Sequence, residues 1–176
     1  MCDHLWKQCA DWLCRLEVLP ANHKIMWPDA TIQDLAYTLR DGVLLCHIAA
    51  TLDPNSIDPR NVNQRPQMAQ FLCLKNIRAF LHACSGVFGI KETDLFQPSM
   101  LYDYSDFARV LHTLSRLSNS PKARSRISGF PVQAGVLGAS TSHDEDQVQS
   151  YRALQKNYRN LSRKESYIIM FYIPSS

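Results

Sequence analysis

Leu5, Cys9, Trp12, Leu13 and Leu16 follow one another at steps of four, three, one and three. That spacing lines one face of a helix and leaves Lys7, Asp11 and Arg15 on the other. The same period returns at Phe71, Leu74, Ile77, Leu81 and Cys84, and again at Phe107, Val110, Leu111, Leu114 and Leu117. No segment offers a convincing apolar and polar alternation of the kind a half-buried strand requires. Several apolar stripes in one chain must bury against each other, so the predicted fold is all-α, a helical bundle.

Between the stripes the sequence supplies starts and stops. Thr31 followed by Asp34 resembles a capping box ahead of Leu35, Ala36 and Leu39. Asp41 is placed to accept the free N–H groups of a buried helix carrying Val43, Leu44, Leu45, Ile48 and Leu52. Pro54, Pro59 and Pro66 make 53–66 a connector. The central helix is expected over Gln67 to Val87, with Gly86 and Gly89 as its stops, and Asp103 as the N-cap of a closing helix. A front part of about 115 residues buries about two-thirds of its unfolded surface, enough for a self-sufficient core.

Charge divides the chain. Residues 1–118 hold 11 basic and 12 acidic groups and residues 119–176 hold 8 and 4, so a front of −1 joins a back of +4, giving +3 overall. That total is too small to signal a nucleic-acid partner by field strength. Three of the six glycines and many serines fall in 119–143, which reads as a flexible linker after a domain spanning 4–118. In the short tail, 144–176, Asp144-Glu145-Asp146 precede Val148, Tyr151, Leu154, Tyr158 and Leu161, spaced as a basic amphipathic helix. Such a helix suits a calmodulin-like groove or an anionic membrane surface, and the alternative is a solvated, detached extension. Tyr167 to Ile173 is an apolar run far short of the roughly 20 residues that span a bilayer, so no stable membrane insertion is expected.

Catalytic chemistry finds no foothold. The six cysteines lack zinc or redox spacing, and the six histidines form no pair at ligand spacing. No Gly-rich phosphate loop and no Gly-flanked serine nucleophile is present. His47 beside Cys46, and His82 two before Cys84, are neighbours that point apart on a helix. No cofactor is expected. Asp3, Lys7 and Asp11 break any signal-peptide core, so the expected setting is cytoplasmic with reduced cysteines.

Leu35 to Cys46, containing Arg40-Asp41-Gly42, resembles the hallmark stretch of calponin-homology domains, and Asn76-Ile77, Ala79-Phe80 and Phe88-Gly89-Ile90 follow in the expected order. Arg65 to Arg78, Leu5 to Cys9 and Leu13 to Trp27 are similar to the amino-terminal calponin-homology domain of the Vav family of Rho and Rac guanine nucleotide exchange factors. The resemblance implies a non-enzymatic regulatory module that restrains an exchange domain absent from this chain, as in a truncated form. It also implies that Tyr151, after the acidic triplet, is a phosphorylation candidate, with Leu154 completing a partner motif for kinases or Src-homology 2 domains. The spacing departs from the family pattern, because Gln147 to Ser150 intervene between triplet and tyrosine. The alternative for Tyr151 is an ordinary exposed aromatic. The alternative function is a cytoskeletal linker binding F-actin, although a single domain of charge −1 offers acidic filaments little attraction.

Overall fold

The helical stripes become helices in the computed structural model, which describes residues 4–66, 69–131, 149–157 and 159–160. These are α1 (Leu5–Arg15), α2 (Ile32–Leu39), α3 (Val43–Leu52), α4 (Gln70–Gly86), α5 (Pro98–Tyr102), α6 (Phe107–Ser118) and α7 (Pro121–Arg124), followed by a tail helix over 149–157 and 159–160. No strand occurs among the described residues. α3 runs along α4, α4 meets α5, and α1 touches both α2 and α6. Trp12, Leu13, Ile77, Phe80, Phe107 and Leu114 are fully enclosed where these helices meet. Each such side chain contributes about 1.5–3 kcal/mol relative to exposure.

Two of the expected starts form as read. The Asp34 carboxylate accepts from the Thr31 N–H at 2.8 Å and from its hydroxyl at 3.0 Å. Asp41 Oδ1 accepts from the N–H of Val43 at 2.9 Å and opens α3. Gly42 between them has φ +77°, and a Cβ there would stand 2.7 Å from Asn76 Cβ and 2.8 Å from the Ile77 nitrogen. Only glycine fits that crossing without displacing α4. Asn76 is fully buried and bridges the same junction, donating to the carbonyls of Asp41 (3.1 Å) and Asn63 (2.9 Å) and accepting from the Asn63 N–H (2.9 Å). Arg40 is also buried, donating to the Tyr102 carbonyl at 3.0 Å with its guanidinium 4.3 Å from the Tyr102 ring centre. The Arg-Asp-Gly stretch thus ties α3 to α4 and α5 from within.

Several expectations shift. The closing helix is capped by Asp106, whose carboxylate accepts from the Arg109 N–H at 3.0 Å, whereas Asp103 lies at the C-terminal end of α5. Phe71 does not join the core; it is 72% exposed, because α4 buries Cys73, Asn76, Ile77 and Phe80 instead. Gly86 is the last residue of α4, and the left-handed turn comes at Gly89 with φ +69°. The packed body also runs past 118 into the stretch read as linker. Phe130 is buried with its ring 5.7 Å from that of Trp12, and its carbonyl accepts from Ser115 Oγ (3.2 Å) and Asn119 Nδ2 (2.7 Å). Arg15 reaches the Ser128 carbonyl at 3.0 Å and holds the same strap down. The remainder of the expected linker, 132–143, lies outside the described residues.

Candidate regulatory docking site

The tail helix is not detached. Leu154 is 2% exposed, and Tyr151, one turn earlier, is half-buried against the domain core. Side chains three apart share a helix face, so one surface of the tail helix carries both. Further along that helix, Asn157 Nδ2 donates to Gln33 Oε1 on α2 at 3.3 Å. Gln33 thus ties the tail helix to α2, an element fixed by the bundle.

Its electrostatics keep Tyr151 neutral. Burial pushes the phenol well above its ordinary value, with the Asp106 carboxylate and Cys9 adding in the same direction. Burial likewise holds the Cys9 thiol protonated. The tail helix presents an apolar face to the seat while Arg152 and Lys156 remain exposed. The acidic triplet Asp144-Glu145-Asp146 and the run Tyr167 to Ile173 lie outside the described residues.

The other residues that drew attention do not converge. His47 faces outward to Gln64 Oε1 at 3.2 Å, while Cys46 is buried, donates to the Asn76 carbonyl at 3.3 Å and has its thiol pushed up to about 12, mainly by burial. His82 is exposed and Cys84 is enclosed with its thiol raised by burial. His112 pairs with Asp94 at 2.9 Å, fastening α6 to the turn before α5. Among the described residues no group of three or more His, Cys, Asp or Glu could hold a metal ion. Nor is any described helix long and apolar enough to cross a membrane.

The sequence pointed to Tyr151 and Leu154 but missed Gln33, which bonds the tail helix, and Cys9 and Asp106, which add to the upward shift of the Tyr151 phenol. Asp106 had a local signal, being an aspartate directly before an apolar stripe. Gln33 had none, since its contact spans 124 positions.

Comparison with known proteins agrees with this architecture. The family model of the calponin homology (CH) domain matches residues 3–123. The chain is 50% identical over 147 residues to protein vav of Drosophila melanogaster, covering 82% of this chain and 18% of that protein. It is 50% identical over 142 residues to the guanine nucleotide exchange factor VAV3 of Mus musculus, covering 80% and 16%. A solved structure of autoinhibited Vav1 superposes with a TM-score of 0.71 at 50% identity, over 73% of this chain and 24% of that one. The chain thus spans less than a fifth of the length of these two curated relatives. It belongs to the calponin homology domain family, and the domain it carries is of the Vav type.

Proposed function

We propose that this chain is a regulatory interaction module of the Vav type, in which the helical domain and its docked tail helix restrain a guanine nucleotide exchange domain for Rho and Rac GTPases. The observation that carries the reading is the seating of Leu154 and Tyr151 on the domain surface. A tail held by one fully buried side chain and one half-buried aromatic is opened by a modest change at either. Phosphorylation of Tyr151 adds about two negative charges. A dianion is poorly tolerated where burial already opposes the phenolate, so the tail helix leaves its seat. Release also presents the phosphotyrosine and Leu154 to arginine-lined Src-homology 2 pockets. The module works in the cytoplasm by contact with proteins and performs no exchange itself.

The decisive experiment mixes the purified chain with a Vav exchange domain and measures nucleotide release from a Rac-type GTPase. Slower release with the unmodified chain, relieved after a Src-type kinase has modified Tyr151, is the expected result. Unchanged release at saturating chain refutes the restraint, and clear saturable pelleting with F-actin at low salt favours the cytoskeletal alternative.

A further inference from the structure

Ser125 stands among cations. Lys122 precedes it by three positions, Arg124 and Arg126 flank it, and no aspartate or glutamate occurs between Asp106 and Asp144. All four of these residues are exposed, at the point where α7 ends. The serines around it are less open. Ser115, Ser118 and Ser120 are buried in capping and strap contacts. Ser128 is exposed, but its carbonyl is clasped by Arg15 at 3.0 Å and Ile127 before it packs against the core. α7 itself is one turn, Pro121–Arg124, and the N–H groups of 124–127 make the few backbone bonds that close it. So short a helix opens locally without disturbing the bundle.

The Ser125 hydroxyl and its neighbours also fasten α7 in place. Ser125 Oγ donates to the Lys122 carbonyl at 2.7 Å. Lys122 Nζ lies 2.6 Å from Asp53 Oδ2, which ties α7 to the residue that caps the end of α3. The hydrogen bond from Lys122, with the Asn55 N–H and the charges of Lys122 and Arg126, holds the Asp53 carboxyl below its ordinary value. We infer that Ser125 is a phosphorylation site for a serine kinase whose substrate groove is acidic, and that its modification unfastens α7 from α3. Lys122, Arg124 and Arg126 are the cations such a groove selects. The kinase moves the γ-phosphoryl group of ATP onto Ser125 Oγ. The bond from that phosphorus to the ADP oxygen breaks, the Oγ–P bond forms, and the hydroxyl proton passes to the kinase's base. The esterified oxygen has no proton left to donate, so the bond to the Lys122 carbonyl is lost. About two negative charges then stand three residues from Lys122, on one face of the turn, and compete with Asp53 for its ammonium.

The test treats the full chain with ATP and, in turn, the catalytic domains of protein kinase C and of the cyclic-AMP-dependent kinase, both selective for basic substrates. Phosphate is mapped by mass spectrometry in wild type and in the double variant Arg124→Gln, Arg126→Gln. Ser125 is expected to be the first hydroxyl filled by at least one of the two kinases, with kcat/KM there about tenfold lower in the double variant. A chain that takes no phosphate at Ser125 from either kinase, or fills it equally fast without the two arginines, overturns the site. NMR then reads the consequence in the chain phosphorylated at Ser125, through amide exchange of residues 124–127 and titration of the Asp53 carboxyl. Exchange is expected to speed about fivefold, as one hydrogen bond is lost, and the Asp53 pKa to rise toward its ordinary value. Exchange as slow, or an Asp53 pKa as low, as in the unmodified chain overturns the unfastening. Ser125→Ala removes the hydroxyl without adding charge, so its Asp53 is expected to titrate as in wild type; an equal rise in the alanine variant overturns the competition for Lys122.

Discussion

Replacing Leu154 by alanine tests the docked tail most directly. The side chain is 2% exposed, so its transfer from water is worth about 2 kcal/mol. A leucine-to-alanine change in a closed core costs about 2–5 kcal/mol, and at the edge of the domain, where solvent can fill the space left behind, the lower end applies. Against this stands the entropy of ordering the tail backbone, about 1–2 kcal/mol per residue before helical hydrogen bonds offset it. Net docking is then a small difference, and a loss of about 2 kcal/mol raises the open fraction by about thirtyfold. Hydrogen exchange over 149–160 should accelerate by that factor, and trypsin should cut sooner after Arg152 and Lys156, both exposed residues on a helix that no longer holds its shape. The unfolding midpoint of the domain itself should move little. Wild-type protection of the tail helix in Leu154→Ala would refute the reasoning, because it would mean that the buried leucine is not what holds the helix.

Other consequences follow from the frame. Phe130→Ala should destabilise the domain by about 3 kcal/mol in urea unfolding, and a fragment ending at 118 should be weaker than one ending at 131, because the Trp12 contact is lost in both cases. Gly42→Ala should cost at least about 2 kcal/mol, since its Cβ meets Asn76 and Ile77 at 2.7 and 2.8 Å on a backbone with φ +77°; full stability in a urea titration would contradict that geometry. Acid should weaken the grip of α6 on the turn before α5. His112 and Arg116 hold the Asp94 carboxyl below its ordinary value, so its contribution is present above the unfolded pKa, near 3.9, and disappears as the pH falls through the lower folded value. Asp94→Asn should therefore lose less stability than wild type between about pH 5 and pH 3, as read from denaturant midpoints.

What was legible in the sequence was what is local. The stripes of α1 and α6, the Thr31 and Asp34 pair and the Asp41 cap each rest on side chains a few positions apart, and each formed. Asp103 and Asp106 both precede the same stripe, and their order was settled by tertiary context. Tyr104 takes φ +52° between them, which turns the chain so that α6 starts only at Phe107. Phe71 continues the helical spacing of α4 but falls in its first turn, on the side away from the buried Cys73 and Ile77. Phe130 sits in a stretch whose glycine and serine content reads as linker, and only its fit against Trp12 makes it core. The docking of the tail helix had least to announce it, because Gln33, which bonds its Asn157, lies 124 positions away.

The Arg-Asp-Gly stretch that marks the domain family is, in this chain, turned inward. Arg40 and Asn76 are enclosed, and Asp41 and Gly42 are consumed in joining α3 to α4, so the motif makes the frame and leaves the surface chemistry to other residues. The frame is closed by many fully buried side chains drawn from all seven of its numbered helices. The tail helix is closed by Leu154, with Tyr151 half-buried beside it. Structures divided this way open in parts, the least-buried element first. In the reading proposed above, one phosphate on Tyr151 is small against the frame and comparable with the docking of the tail. A signal of that size can therefore move the tail helix and leave the domain that receives it folded.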